Sequence, residues 1–326
     1  MRWRIAPCLL LGAAVFLSSC APAPAPVRQT IRLGLTSTID LLPYLVMTGR
    51  GMDKQAGIRF ETTQMAGGAA YIQAMAAGTL DAGYSGIVPI LQSATDETIG
   101  KSFLVVAANT FADPGHLNSA VLAGPRVKSW KDLEGAYIGI NTPTSLGGWA
   151  VVGRLRQEGV RKYTFVNIAF QDQGLAVAGG SVSAAVMFEP YITQSLQRGD
   201  GKLLGWIIGG PPLNEMPSSV LTLRAGFVRD QPQAARALVS LHVRAVRWIL
   251  GNEKEARTIL GRGLSIDTRV TEAMNLLQWR PDCRNDPALW QVCEEIFVSL
   301  GFLPKLIPPS SLYDESILTD VLKGRK

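Results

Sequence analysis

Ile31-Arg32-Leu33-Gly34-Leu35-Thr36-Ser37-Thr38-Ile39-Asp40 opens the folded part of the chain. Its first five residues read as a strand, and Asp40 reads as the cap of a helix running toward Gly49, with Pro43 tolerated in the first turn. The pattern then recurs. Residues 58–65 read as a second strand, 69–77 as a helix closed by Gly78, 81–85 as a third strand, 86–93 as a helix, and 103–108 as a fourth strand. A βαβαβαβ order implies a largely parallel sheet covered by helices on both faces.

A second unit of the same kind follows from about residue 120. Lys128-Ser129-Trp130-Lys131-Asp132-Leu133-Glu134-Gly135 reads as a short helical turn leading into a strand at 136–140, a polar, Gly-rich turn at 141–148 and a helix at 149–158. Strand 163–168, helical turn 171–178, strand 182–187, helix 189–197 and strand 202–208 complete it. Past a strand at 219–223 the chain turns helical. Residues 232–252 read as one long amphipathic helix, with Ala235, Leu238, Val239, Leu241, Val246 and Ile249 among its apolar positions. Further helices are expected near 253–262, 267–278, 287–300 and 314–323. The first sheet would be half bare unless this helical tail wraps back onto it. The expectation is therefore an α/β protein of two lobes, each a mainly parallel sheet flanked by helices. Lobe one takes 30–115 with 216–326, and lobe two takes 116–215. The chain crosses near 110–119 and 210–218, the return carrying the connecting composition Gly209-Gly210-Pro211-Pro212.

Ahead of this body stand Arg2 and Arg4, an apolar run from Ile5 to Leu17 broken by Pro7, and Leu17-Ser18-Ser19-Cys20. That order is a basic n-region, a short h-region and a small-residue cleavage site. As a helix, roughly 13 residues would rise about 20 Å, short of a hydrocarbon core of about 30 Å. Residues 1–19 are therefore expected to be a signal peptide. Leu-Ser-Ser-Cys is similar to the lipobox of bacterial lipoproteins, which implies acylation of Cys20 and a lipid-anchored, extracytoplasmic protein in the periplasm or at the cell surface. The other reading is an ordinary signal peptide with Cys20 near the boundary. Residues 20–29 hold that cysteine and an Ala-Pro spacer, Ala21-Pro22-Ala23-Pro24-Ala25-Pro26, extended at about 3.1 Å per residue.

The 32 Lys and Arg against 26 Asp and Glu give a formal net charge of +6, of which Arg2 and Arg4 leave with a cleaved leader. So mild and scattered a balance does not support a nucleic-acid partner. Cys283 and Cys293 are the cysteines left in the body. Asp286-Pro287 looks like a helix cap and first residue, which puts Cys293 on a helix and Cys283 in the preceding loop. In an oxidising compartment the pair is expected to close as a disulfide, with two free buried thiols as the alternative. His116 and His242 read as structural. No spaced metal ligands, phosphate loop or serine elbow occurs in the sequence, so no metal, cofactor or catalytic residue is expected.

Four segments carry a resemblance that spans nearly all of the chain after the leader. They are the strand-to-helix start from Ile31 through Pro43, Ala74-Met75-Ala76-Ala77-Gly78-Thr79-Leu80-Asp81-Ala82-Gly83, Trp130-Lys131-Asp132-Leu133-Glu134-Gly135-Ala136-Tyr137-Ile138-Gly139-Ile140, and Phe188-Glu189-Pro190. The set resembles substrate-binding proteins of the nitrate, sulfonate, taurine and thiamin-precursor uptake systems. The resemblance implies a type 2 periplasmic-binding-protein fold. It also implies a receptor without catalytic chemistry, a monomer that hands a small polar organic solute, sulfonate, taurine-like or thiamin-pyrimidine-like, to ABC permease subunits with their cytoplasmic ATPase. Two other readings stand beside it. One is a sensing or interaction module without a transport role. The other is an enzyme like the fungal pyrimidine-precursor synthase of thiamin biosynthesis, whose cysteine-rich run this chain lacks.

Ligands of open α/β sheets sit beyond the carboxyl ends of the strands, and clefts between lobes are favoured sites. In lobe one those ends give Ser37, Thr38 and Ile39, then Gly67 and Gly68, Tyr84, Ser85 and Gly86, and Asn109 with Thr110. Lobe two gives Thr142, Thr144, Ser145 and Gly147. Several stand at expected helix N-termini, where free N–H groups attract anionic or carbonyl oxygens. Each Ser or Thr has the plainer reading of a helix cap, and Gly67-Gly68 that of a turn. From the resemblance, Phe188 and Glu189 join the ligand-binding set. Phe188 stands where the family more often has tryptophan, and Glu189 either meets the ligand or stabilises a helix N-terminus.

Overall fold

The computed structural model describes residues 29–308 and 311–324. The expected signal peptide, Cys20 and the Ala-Pro run lie outside the described residues. Ten strands form: β1 (Gln29–Leu35), β2 (Ile58–Gln64), β3 (Ala82–Gly86), β4 (Phe103–Ala112), β5 (Ser119–Ala123), β6 (Ala136–Ile140), β7 (Tyr163–Asn167), β8 (Ala184–Phe188), β9 (Lys202–Ile208) and β10 (Met216–Arg224). They build two sheets of five, in the orders β2-β1-β3-β10-β4 and β7-β6-β8-β5-β9. β1 pairs parallel with β2 and with β3, as β6 does with β7 and β8. The expected parallel grain therefore holds, apart from one strand in each sheet.

That strand is β10 in the first sheet, antiparallel to β3 and β4, and β5 in the second, antiparallel to β8 and β9. Each is the segment that has just crossed from the other sheet. β5 is absent from the sequence expectation, because Ser119-Ala120-Val121-Leu122-Ala123 is buried on both faces and shows no alternation. β10 starts at Met216 and β4 continues to Ala112, so the crossings shrink to 113–118 and 209–215. β1 likewise begins at Gln29, inside the expected spacer.

At the centre of the first sheet Tyr71 lies over two glycines. A Cβ on Gly34 would stand 2.6 Å from the Leu80 side chain, and one on Gly83 would stand 2.6 Å from both the Gly34 carbonyl oxygen and the Tyr71 ring. The Tyr71 hydroxyl is hydrogen-bonded to the Thr222 hydroxyl. Asp81, just before β3, is clamped by Arg32 at 2.6 Å and Arg224 at 2.8 Å, tying β1, β3 and β10 together. Burial would raise the Asp81 carboxyl, but these hydrogen bonds hold it below its ordinary range.

The helical tail does pack back on lobe one. Helix Pro232–Gly251 and helix Glu253–Leu264 lie against helix Leu42–Gly49, helix Pro287–Ser299 against β10, and helix Ser316–Leu322 against β4. The helix expected over 267–278 stops at Ala273, and Gln278 instead exchanges two backbone hydrogen bonds of 2.9 Å with Phe111 of β4. Asp286 caps as read, accepting from the Ala288 and Leu289 amides. The disulfide expectation is corrected: Cys283 and Cys293 are free and buried. Cys283 has turned toward β4, where its carbonyl accepts from the Ala108 amide, while Cys293 is buried within helix Pro287–Ser299. Burial lifts the Cys283 thiol to about 12 and raises Cys293 as well, so neither is a ready nucleophile.

One apolar core spans both sheets, and a second, smaller cluster around Leu122, Val177, Met187 and Ile192 covers the other face of the second sheet. Helix Leu146–Gln157, which follows β6, sends Trp149 into the tail, where it stacks on Phe302 at 4.6 Å and meets Phe297 edge-on at 4.8 Å.

Candidate functional site

A cavity of about 80 Å³ lies between the sheets at the carboxyl ends of their strands. Lobe one contributes Thr36, Thr38 and Asp40 after β1, Gly67 and Gly68 after β2, Gly86 at the end of β3 with Pro89 beyond it, and Ser218 from β10. Lobe two contributes Asn141, Ser145 and Leu146 after β6, Phe170 after β7, and Phe188 at the end of β8. Asn118 comes from the first crossing. A larger depression of about 760 Å³ lies between residues 94–104 and 304–314, but takes no residue from lobe two and no strand-end glycine or hydroxyl.

Of the expected ligand residues, the structure brings Thr38, Gly67, Gly68, Gly86, Ser145 and Phe188 to this cavity. Ser145 also caps its helix, accepting from the Gly148 amide at 3.1 Å. Gly68 and Gly147 are there for space: a Cβ would reach within 2.1 Å of Pro89 and 2.8 Å of Phe188, respectively.

The others serve the cavity from outside it or not at all. Ile39 is core, and Ser85 donates to the Gly86 carbonyl. Tyr84 points from β3 into the tail, where its hydroxyl meets His242 Nδ1 at 3.2 Å, and His242 Nε2 lies 3.1 Å from the Ala108 carbonyl. A carbonyl only accepts, so Nε2 carries the proton and Nδ1 accepts from Tyr84. Burial lowers the His242 pKa to about 4, keeping the ring neutral. His116 bonds Asp113 within the first crossing. Asn109 donates to the Asp40 carbonyl and to Ser219, bracing the cavity floor. Thr142 faces Gly67 across the lobe boundary, and Thr144 is exposed, its hydroxyl 3.1 Å from that of Thr142.

Ser37 became a latch. Its carbonyl accepts from the Tyr191 hydroxyl of lobe two at 3.1 Å, while Tyr191 stacks on Phe170. Glu189 takes the second of its two readings. Its carboxylate accepts from the Thr193 amide at 3.1 Å and hydroxyl at 2.9 Å, in the first turn of helix Tyr191–Arg198, and from the Asn275 amide of the tail at 3.4 Å. Those bonds turn it away from the cavity.

The acid in the cavity is Asp40. It caps no helix, for it lies in a single 3-10 turn at Ile39–Leu41, and helix Leu42–Gly49 has no side-chain cap. Its Oδ1 accepts from Ser219 at 2.7 Å and Thr110 at 3.0 Å, and its Oδ2 from Thr38 at 3.0 Å. The Thr110 and Ser219 hydroxyls also lie 2.7 Å apart, so two hydroxyl protons serve three contacts, and a proton on Asp40 would complete the ring. Burial pushes the Asp40 carboxyl up, against the pull of these three hydroxyls. Among the described residues it has no basic partner, and no group of three metal-ligating side chains occurs.

Two mixed α/β lobes joined by two crossings, with a small polar cavity at the shared strand ends, define the class of the periplasmic-binding-protein fold. Residues 24–262 match the NMT1-like family, and the chain belongs to it. Solved structures agree on the fold. The ligand-binding component of an ABC-type import system from Staphylococcus aureus superposes with a TM-score of 0.75 at 12% identity, over 90% of this chain and 99% of that one. The periplasmic nitrate-binding protein of Synechocystis PCC 6803 gives 0.70 at 14%, over 93% and 90%. The periplasmic aliphatic sulphonate-binding protein of Escherichia coli gives 0.66 at 15%, over 89% and 92%. Comparison with curated protein sequences found no match.

Proposed function

We propose that the chain is an extracytoplasmic solute-binding receptor of an ABC importer, tethered by lipid on Cys20, that holds a small polar organic solute between its lobes and delivers it to a permease. The observation that carries this reading is the cavity built from strand ends of both sheets. A solute there touches both lobes at once, so it favours the arrangement in which they meet. The lobes are taken as 30–115 with 216–326, and 116–215. Binding rather than conversion fits a site whose lining side chains are hydroxyls, amides, one carboxyl, two phenyl rings, a proline and a leucine, without a nucleophile paired to a base. The relatives named as ligand-binding, nitrate-binding and sulphonate-binding proteins support the same role. Tethering would keep the receptor at high effective concentration beside its permease.

The test is a thermal-shift screen of sulfonates, pyrimidines, amines and inorganic anions against the mature chain, in parallel with Gly86→Leu. A solute at about 100 times its dissociation constant adds about 2.7 kcal/mol of stability. Gly86 has an ordinary extended backbone with φ −62°, and no atom lies closer than 3.7 Å to its Cβ position, so a side chain can start there without backbone strain, and leucine is chosen to occupy the cavity. A ligand shift in wild type that vanishes in Gly86→Leu is the expected result. No shift from any class, or one that Gly86→Leu leaves intact, would count against the receptor reading.

A further inference from the structure

We propose that the solute is held by a cationic or N–H-rich head, an amine, amidine or amino-substituted heterocycle, seated on Asp40; this rests on the receptor reading above.

The one ionisable side chain that lines the cavity is an acid, Asp40. No lysine, arginine or histidine lines it. Asp40 Oδ2 takes a single hydroxyl, Thr38, although a carboxylate oxygen accepts two hydrogen bonds. Asn118, only 2% exposed, gives its Nδ2 to Ser218 at 2.9 Å, and its Oδ1 is buried without a protein partner. Asn141 Oδ1, at the wall contributed by lobe two, is unpartnered in the same way. These oxygens belong to residues from three segments of the chain that line one small cavity. The open position on Asp40 Oδ2 accepts an N–H and has nothing to give a second acceptor, so a solute that brings N–H groups there gains what one bringing only oxygens forfeits.

Charge decides in the same direction. A sulfonate, carboxylate or nitrate beside Asp40 meets either a like charge or an acid forced to stay protonated, with no fixed cation to offset it. A positive head meets a carboxyl that can ionise in its favour. Phe170 and Phe188, ring centroids 5.7 Å apart and edge to face, supply an apolar flank for the body behind that head. Glu189, the acid expected here from sequence, is spent on Thr193 and Asn275, so Asp40 carries this role alone.

The experiment uses two isosteric pairs of opposite charge, acetamidine with acetate and benzamidine with benzoate, titrated calorimetrically into the mature chain and into Asp40→Asn and Gly86→Leu. Near-ultraviolet circular dichroism checks that each variant is folded. The amidine of at least one pair should bind tenfold or more tightly than its carboxylate. Asp40→Asn should erase most of that ratio, and Gly86→Leu should abolish binding. Tighter carboxylate binding that Gly86→Leu abolishes overturns the proposal while leaving the receptor reading intact. A ratio unchanged in Asp40→Asn does the same. Absence of binding by all four probes overturns the proposal, and together with an empty screen of the other solute classes it overturns the receptor reading as well.

Discussion

Asp40 takes up a proton more readily in the folded chain than in the unfolded one, because burial raises its carboxyl above the ordinary range. Where the folded state holds that extra proton, stability falls as pH rises through the window between the unfolded and the folded pKa. Asp40→Asn removes the titration. The ligand-free variant should therefore resist urea better than wild type at pH 7, with the gap closing as pH falls toward about 4, where the unfolded carboxyl is also protonated. Equal stability of the two proteins across that range would contradict the assignment of a strained, solute-seeking acid. Asp40 was hidden in the sequence by its setting. An aspartate ahead of an apolar helix reads as a cap, and only the hydroxyls of Thr110 and Ser219, 70 and 179 residues away, recruit it to the cavity. Asn118 and Ser218 escaped for a related reason, since they lie in or beside the crossings rather than at the ends of strands that sequence reading could place. Strand-end residues that sit at their own helix starts, such as Ser145 and Gly68, were legible.

At the scale of elements, Gly34 and Gly83 explain why β1 and β3 carry glycine under Tyr71. A methyl group on Gly34 meets only side-chain atoms of Leu80 and Tyr71, which can give way, whereas one on Gly83 meets the backbone oxygen of Gly34 as well as the ring. Gly83→Ala should therefore cost more than Gly34→Ala, within the ~1–3 kcal/mol typical of overpacking, and urea denaturation of the two variants measures the difference. Equal costs would place the crowding in the ring alone. The Leu80-Asp81-Ala82-Gly83 segment, which carried part of the family resemblance, thus acts through packing and the Arg32–Asp81–Arg224 clamp rather than through a ligand. Elements with a clear period or a cap were readable in advance, among them helix Pro232–Gly251 and the Asp286 cap. β5 was not, because a short strand buried on both faces and directly preceded by a crossing has no local signature. Tyr84 was misplaced because its side chain runs from β3 into the tail to meet His242, whereas Gly86 reaches the cavity by standing at the carboxyl end of the strand.

Over the whole molecule, each sheet takes as its one antiparallel strand the segment that has just arrived from the other. The Tyr191–Ser37 hydrogen bond and the Glu189–Asn275 bond add contacts between the lobes near the cavity. Farther out, Trp149 of lobe two is 3% exposed and stacked on Phe302 of the tail, with ring planes 13° apart. Indole emission depends on whether the ring is dry or wet, and any separation of the lobes on that side must uncover this ring. The spectrum of the chain minus that of a Trp149→Phe variant therefore isolates one fluorophore, blue-shifted when the lobes are together and red-shifted when they part. Saturating solute should leave that difference spectrum at the blue limit, so the protein reports its own occupancy in light, without a dye or a label.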